Sequence, residues 1–212
     1  MSRPSSPSSG RISLPPFPVK GNLLGTAIVG GIDWFIGRYG PAAAHAVIAG
    51  LSAPHRLFVT PNAPSLGILG ARRYPYPFVG DLTRSMVRVA AVAPSDDDAL
   101  VRQLSIAGAE AALGTVSRGL LRFVVTPSIF ARGAQEMWSE FHDSGRLVVT
   151  VTEHEYVTDV TEWANHDATV CAMCAAACGW IIERTGKRGV ETSRVKCQAW
   201  GHPSCVSRVR WA

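Results

Sequence analysis

The chain lacks the short motifs that announce an enzyme. It has no nucleophile elbow, no Ser-His-Asp order and no pair of carboxylates set for acid and base work; Gly114-Thr115-Val116-Ser117-Arg118-Gly119 is not a Gly-x-Ser-x-Gly. Glycines at 25, 30, 31 and 37 gather as in a phosphate loop. No strand signal precedes them and no Gly-Lys-Ser/Thr follows, so a nucleotide site is set aside and close helix packing is the better account. No apolar signal-peptide core stands near the start, which makes the cytoplasm the expected location. Charged residues are few, at 17%, against 47% hydrophobic, and mean hydropathy is +0.12. That apolar excess points to a greasy pocket or a buried oligomer interface. The net charge of +5 is mild, and Arg3, Arg11 and Lys20 lie in the tail. Nucleic acid is therefore not an expected partner, since a solvated basic face is the commoner cause of such a balance.

At 212 residues the chain has room for one sizeable core. Residues 1–20, rich in Ser and Pro without periodicity, read as a disordered tail, and residues 21–212 as a single domain. Helix signals fill the N-terminal half. An apolar, Gly-rich helix is expected from Asn22 to about Gly40. Pro41 opens a second at the favoured first position. Tyr74-Pro75-Tyr76-Pro77 makes an extended corner, and a helix resumes at Asp81. Asp96, Asp97 and Asp98 precede the next; acidic residues at a helix start answer its dipole better than they make a metal site. Thr126-Pro127 opens a helix that carries Trp138 and Phe141 and runs to His142. Asp143-Ser144-Gly145 then turns the chain into a strand over 146–152, with its hairpin partner over 155–163. His142 and His154 are each readable as a polar contact in a pocket or as an ordinary histidine.

The richest signal lies at the C-terminus. Five cysteines are an odd number, and three of them fall on one helix, which argues against an extracellular disulfide framework. Residues 168–185 form an almost unbroken apolar helix with Asn165 or Asp167 as cap and Gly186 as its stop. Cys171, Cys174 and Cys178 share one stripe at i, i+3 and i+7. Two alternating runs, 190–199 and 203–211, flank Trp200-Gly201-His202 as a hairpin in which Cys197 faces Cys205. On strict alternation, Ser193, Val195, Cys197, Ala199, Cys205, Ser207, Val209 and Trp211 share the buried face. Arg194, Lys196, Gln198, Arg208 and Arg210 face water. Helix and hairpin together can bring Cys171, Cys174, Cys197 and Cys205 to one point, a thiolate set suited to structural zinc. Two other accounts stay open: small cysteines filling a tight interface, and a Cys197–Cys205 disulfide, which a reducing compartment disfavours.

These pieces, above all Cys197-Gln-Ala-Trp-Gly-His-Pro-Ser-Cys205 closing on Val209-Arg210-Trp211, resemble the 4-vinyl-reductase-type ligand-binding domain, and within it a myxobacterial paralogous family. That superfamily includes the haem NO-binding domain and the TRAPP vesicle-tethering subunits. The resemblance covers residues 21–212. The residues read as N-terminal helices followed by strand-strand-helix-strand-strand, and the resemblance implies an α/β (α+β) fold with those helices packed on a C-terminal antiparallel sheet. It implies a homodimer and a buried pocket for a small hydrophobic molecule. Trp138, Phe141 and His142 are the candidate ligand-binding residues. In aromatic-sensing relatives three cysteines, matching Cys171, Cys197 and Cys205, hold a structural zinc with a glutamate. Here that glutamate position is Arg194, and Cys174 is the candidate replacement. The haem NO-binding group carries a Tyr-x-Ser-x-Arg motif that this chain lacks, so haem is not expected. The resulting expectation is a non-enzymatic ligand-binding or sensory module without a transmembrane segment, whose output passes through a protein partner. The alternatives are a TRAPP-like scaffold acting through assembly and, after it, an enzyme related to the 4-vinyl reductases.

Overall fold

The computed structural model describes residues 20–90, 97–124 and 126–212, with the side chains of 114–124 left aside. Ser95, Asp96 and all of the expected tail but Lys20 lie outside the described residues. The first described element is a strand, not a helix: β1 (Asn22–Leu24) pairs antiparallel with β2 (Arg73–Pro75). The reason is tertiary. The Asp143 carboxylate accepts hydrogen bonds from the Gly21 and Asn22 amides at 2.7 Å each and from Asn22 Nδ2 at 2.6 Å, which holds this stretch extended. The long helix α1 (Thr26–Gly50) follows and breaks at Gly40, whose φ of 82° and ψ of 172° suit a residue without Cβ. Pro41, with its φ already fixed, restarts it.

The Tyr-Pro corner leads straight into α2 (Tyr76–Val89), earlier than the expected start at Asp81, because Pro77 occupies its first turn. Then come α3 (Asp97–Val124), α4 (Pro127–Arg132) and α5 (Ala134–Phe141). The single helix expected after Pro127 is two, divided at Gly133. Thr126 caps the first, its Oγ1 accepting from the Ile129 amide at 3.2 Å. α1 and α3 pack closely along their glycines: a Cβ on Gly30, Gly31 or Gly108 would strike the backbone carbonyls of Ala107, Leu104 and Ala27 respectively. Helix contact thus accounts for Gly30 and Gly31.

The C-terminal half runs β3 (Arg146–Val151), β4 (Glu155–Thr161), α6 (Ala168–Arg184), β5 (Glu191–Lys196) and β6 (Cys205–Arg210). The four strands form one antiparallel sheet in the order β3-β4-β6-β5. Tyr156, Thr158 and Val160 of β4 stand opposite Val209, Ser207 and Cys205 of β6, all six buried. α6 lies on that face, and Asp167 caps it by accepting from Thr169 N at 2.8 Å and Val170 N at 3.3 Å.

Strict alternation fails in β5. The register shifts between Arg194 and Lys196, so Thr192 pairs with Val209 and Arg194 with Ser207. One extra residue turns the upstream half of a strand over. Arg194 therefore belongs to the helix-facing side, while Ser193, Val195 and Ala199 are exposed, against expectation. No helix among the described residues is long and apolar enough to cross a membrane.

Candidate ligand cavity and thiol cluster

A cavity of about 130 Å³ lies between α3, α5, α6 and the sheet. α5 delivers Trp138 and Phe141 to its wall, and His142 follows at the end of that helix. Trp138 is fixed by its own Nε1, which donates to the Ser144 carbonyl at 2.9 Å in the turn completed by Gly145 (φ 96°). α6 adds Met173, Cys174 and Cys178; the sheet adds Leu147 and Tyr156. Ser105 of α3 also lines the space, but its hydroxyl is spent on the Met173 carbonyl at 2.6 Å. All three residues expected to bind ligand thus share one cavity. His154 does not reach it; it is exposed in the β3–β4 turn beside Glu153.

His142 is the polar feature of this wall. Its ring stacks on Trp138 at 3.7 Å, nearly parallel at 7°. Nδ1 lies 3.0 Å from the Tyr76 hydroxyl, and Nε2 lies 3.8 Å from Cys174 Sγ. Burial, helped by the nearby Arg73 charge, pushes the imidazole down to about 3, so it is neutral near pH 7. Burial also raises the Tyr76 hydroxyl and the Cys174 thiol, which both stay protonated. The Cys178 thiol is pushed up to about 11 by the same cause. The cavity therefore presents no formal charge from these groups.

A second constellation lies across α6. The Sγ atoms of Cys171, Cys197 and Cys205 and a ring nitrogen of His166 all lie within 4.8 Å of one another. Cys171 comes from the first turns of α6, Cys197 follows β5, Cys205 opens β6, and His166 sits just before the Asp167 cap. Cys197 Sγ is 3.6 Å from His166 Nε2, and Gln198 N donates to Cys205 Sγ at 3.4 Å. The hydrogen bond between Cys171 and Cys205 holds the Cys205 sulfur low and raises Cys171, with His166 and the Gln198 amide also favouring a Cys205 thiolate. Three sulfurs and an imidazole at this separation match a closed tetrahedral zinc-type set.

Two expectations are corrected here. Cys174 is not in the cluster: one turn beyond Cys171, it points into the cavity instead. The fourth side chain of the cluster is His166, which the cysteine spacing did not reveal; the available signal was a His-x4-Cys ending at Cys171. Arg194 does not enter the cluster; it donates to the Ala168 carbonyl at 3.1 Å and lies over Trp200. Among the described residues the five cysteines are free, so the Cys197–Cys205 disulfide is not formed.

No family model matches the chain, and no curated protein does. Solved structures do. An Fe(II) unliganded H-NOX protein mutant, A71G, from K. algicida superposes with a TM-score of 0.62 at 12% identity, covering 90% of this chain and 97% of its own. An H-NOX protein from S. oneidensis in the Fe(II)NO ligation state gives 0.62 at 8%, covering 90% and 99%. A third, described as "Modulating Heme Redox Potential Through Protein-Induced Porphyrin Distortion", gives 0.57 at 10%, covering 88% and 94%. These neighbours, described with Fe(II) or heme, overturn the expectation that set haem aside for want of a Tyr-x-Ser-x-Arg motif. His142 is the imidazole on the cavity wall among the described residues. The volume of about 130 Å³ is nevertheless below the ~300–1,000 Å³ of most cofactor sites, so a porphyrin does not fit the cavity in this form. At identities of 8 to 12%, what the chain and these neighbours share is a fold: helices packed on a four-stranded antiparallel sheet, the H-NOX architecture.

Proposed function

We propose that residues 21–212 form one non-enzymatic sensory domain that takes a small, uncharged, mostly apolar molecule into the Trp138–His142 cavity. The observation that carries this is the cavity itself: apolar, with a neutral imidazole as its directional group. A void of about 150 Å³ lined by apolar side chains is enough for a benzene-sized ring. A scaffold of TRAPP type is expected to have a filled core, so the cavity favours the ligand-binding reading. The resemblance of the C-terminal cysteine motif to the 4-vinyl-reductase-type domains supports the same ligand-binding reading.

The test is thermal unfolding with hemin, single-ring aromatics and short aliphatics, on the native chain and on Ala109→Phe, which fills the space from the α3 wall that Ala109 lines. A binder at a hundredfold excess over its Kd adds about 2.7 kcal/mol, or roughly 5–10 °C in a chain of this size. The shift should vanish in Ala109→Phe. Hemin belongs in the set because of the solved neighbours, and it would also declare itself in the visible spectrum. If no compound of any class stabilises the native chain, the reading fails.

The second part of the proposal is a structural zinc held by His166, Cys171, Cys197 and Cys205. Its four positions are all protein donors, leaving none for water or substrate, so its role is to pin the β5–β6 hairpin to α6. Metal content should be about one zinc per chain, lost in Cys171→Ser and Cys205→Ser and retained in Cys174→Ser. Loss in Cys174→Ser with retention in His166→Gln would restore the four-thiol set. We also propose a homodimer, checked by light scattering, with a protein partner as the route of output.

A further inference from the structure

The cavity wall brings two donor atoms together from different helices. Cys174 Sγ of α6 and Nε2 of His142, at the end of α5, lie 3.8 Å apart, and both side chains line the space. Among the described residues neither atom has another hydrogen-bond partner. His142 is only 8% exposed, so this nitrogen sits in an apolar space with nothing better than a thiol beside it. Polar atoms left in that condition are costly to bury. With its proton on Nδ1, the ring donates to the Tyr76 hydroxyl oxygen at 3.0 Å, and Nε2 turns its lone pair toward the sulfur. Ligating histidines are commonly fixed in this way through their other nitrogen.

We propose that Cys174 Sγ and His142 Nε2 bind one copper(I) ion in the wall of the cavity. The separation suits it. With bonds of roughly 2.3 Å to sulfur and 2.0 Å to nitrogen, the lengths of the d10 zinc ion, a gap of 3.8 Å sets the sulfur–metal–nitrogen angle at about 120°. That angle is trigonal: two vertices belong to the protein and the third opens on the cavity. Charge then selects the ion. One thiolate and one monovalent cation sum to zero, whereas a divalent ion would leave a positive charge in a space lined mostly by apolar side chains. Thiolate is a soft ligand that selects Cu(I), and imidazole suits copper as well. As the copper–sulfur bond forms, the sulfur–hydrogen bond breaks and its proton leaves to solvent, with no change in oxidation state. The cluster of Cys171, Cys197, Cys205 and His166 shares neither donor with this site. The site needs no organic guest, so it stands apart from the cavity's proposed ligand.

The test titrates the full-length chain with copper(I) under argon against bicinchoninate, a coloured chelator, with bound zinc counted in the same samples. The thiol cluster can take copper too, so the readout is a difference between variants. The native chain should hold one copper equivalent more than Cys174→Ser or His142→Gln, and Cys178→Ser should match the native chain. Carbon monoxide gives a second reading. An open vertex binds it and yields an infrared band from the native chain that both ligand variants lack, whereas a closed four-donor cluster has no vertex to offer. Two ligand variants keep the test decisive if one misfolds, which circular dichroism of the copper-free chain shows. Equal copper in the native chain and a folded ligand variant, loss in a folded Cys178→Ser, copper taken up only in exchange for zinc, or no carbonyl band would overturn the proposal.

Discussion

His142 is held neutral where a free histidine would titrate. Its imidazole falls from 6.5 to about 3 because burial removes the water its charged form needs. The unfolded chain takes up a proton near pH 6.5, and the native chain does not do so until near 3. Stability contributed by this residue is therefore complete above the unfolded value and is lost as pH falls through the window between the two. The slope is at most about 1.4 kcal/mol per pH unit. His142→Gln keeps a hydrogen-bond partner for Tyr76 but cannot charge. Urea unfolding at pH 7 and pH 5 should show the native chain losing about 2 kcal/mol more than the variant. Equal losses would mean that the ring is reached by water.

The same scale separates Cys171 from Cys174. Three positions on a helix turn about 300°, so neighbours on one stripe still diverge by some 60°. That divergence puts Cys171 against the hairpin and Cys174 against His142. Spacing on the helix was readable; which of two adjacent stripe positions meets the sheet was not, because it depends on how α6 is rotated on β6. His166 was hidden for a related reason. It sits in the turn before α6, where no periodicity marks a side chain as inward.

At the scale of elements, the hairpins, the capped α6 and the Asp143-Ser144-Gly145 turn follow from local residue chemistry, and the chain agrees with it. The failures are non-local. β1 is a strand because of a carboxylate more than a hundred residues away, and β5 turns over because of one bulged position. The glycines of α1 and α3 make the firmest prediction here. Gly108 lies against the Ala27 carbonyl, an atom of backbone that cannot swing aside. Gly108→Ala, which ought to strengthen an isolated helix by about 1 kcal/mol, should instead destabilise the protein by roughly 1–3 kcal/mol through overpacking. A denaturant midpoint that rises would show that the two helices can part without loss.

For the whole molecule, α6 is shared property. One turn of it supplies Cys171 to the thiol cluster, and the next supplies wall to the cavity. A guest that shifted or rotated the helix on one side would change the separations within the cluster on the other. Thermodynamic reciprocity then applies: if an occupant of the cavity changes zinc affinity by some factor, zinc changes the occupant's affinity by the same factor. Competition with a chromophoric chelator, run with and without a cavity binder, measures it directly. Identical zinc affinities in the two runs would make the cluster a passive pin.

Seen this way, the hairpin is more than a closing strap. On the proposed reading, a zinc held by the cluster would act as a thermostat for the cavity, setting how readily α6 yields and hence how tightly a guest is held. If both parts of that reading hold, a change in free zinc would retune guest binding without altering a single residue that touches the guest.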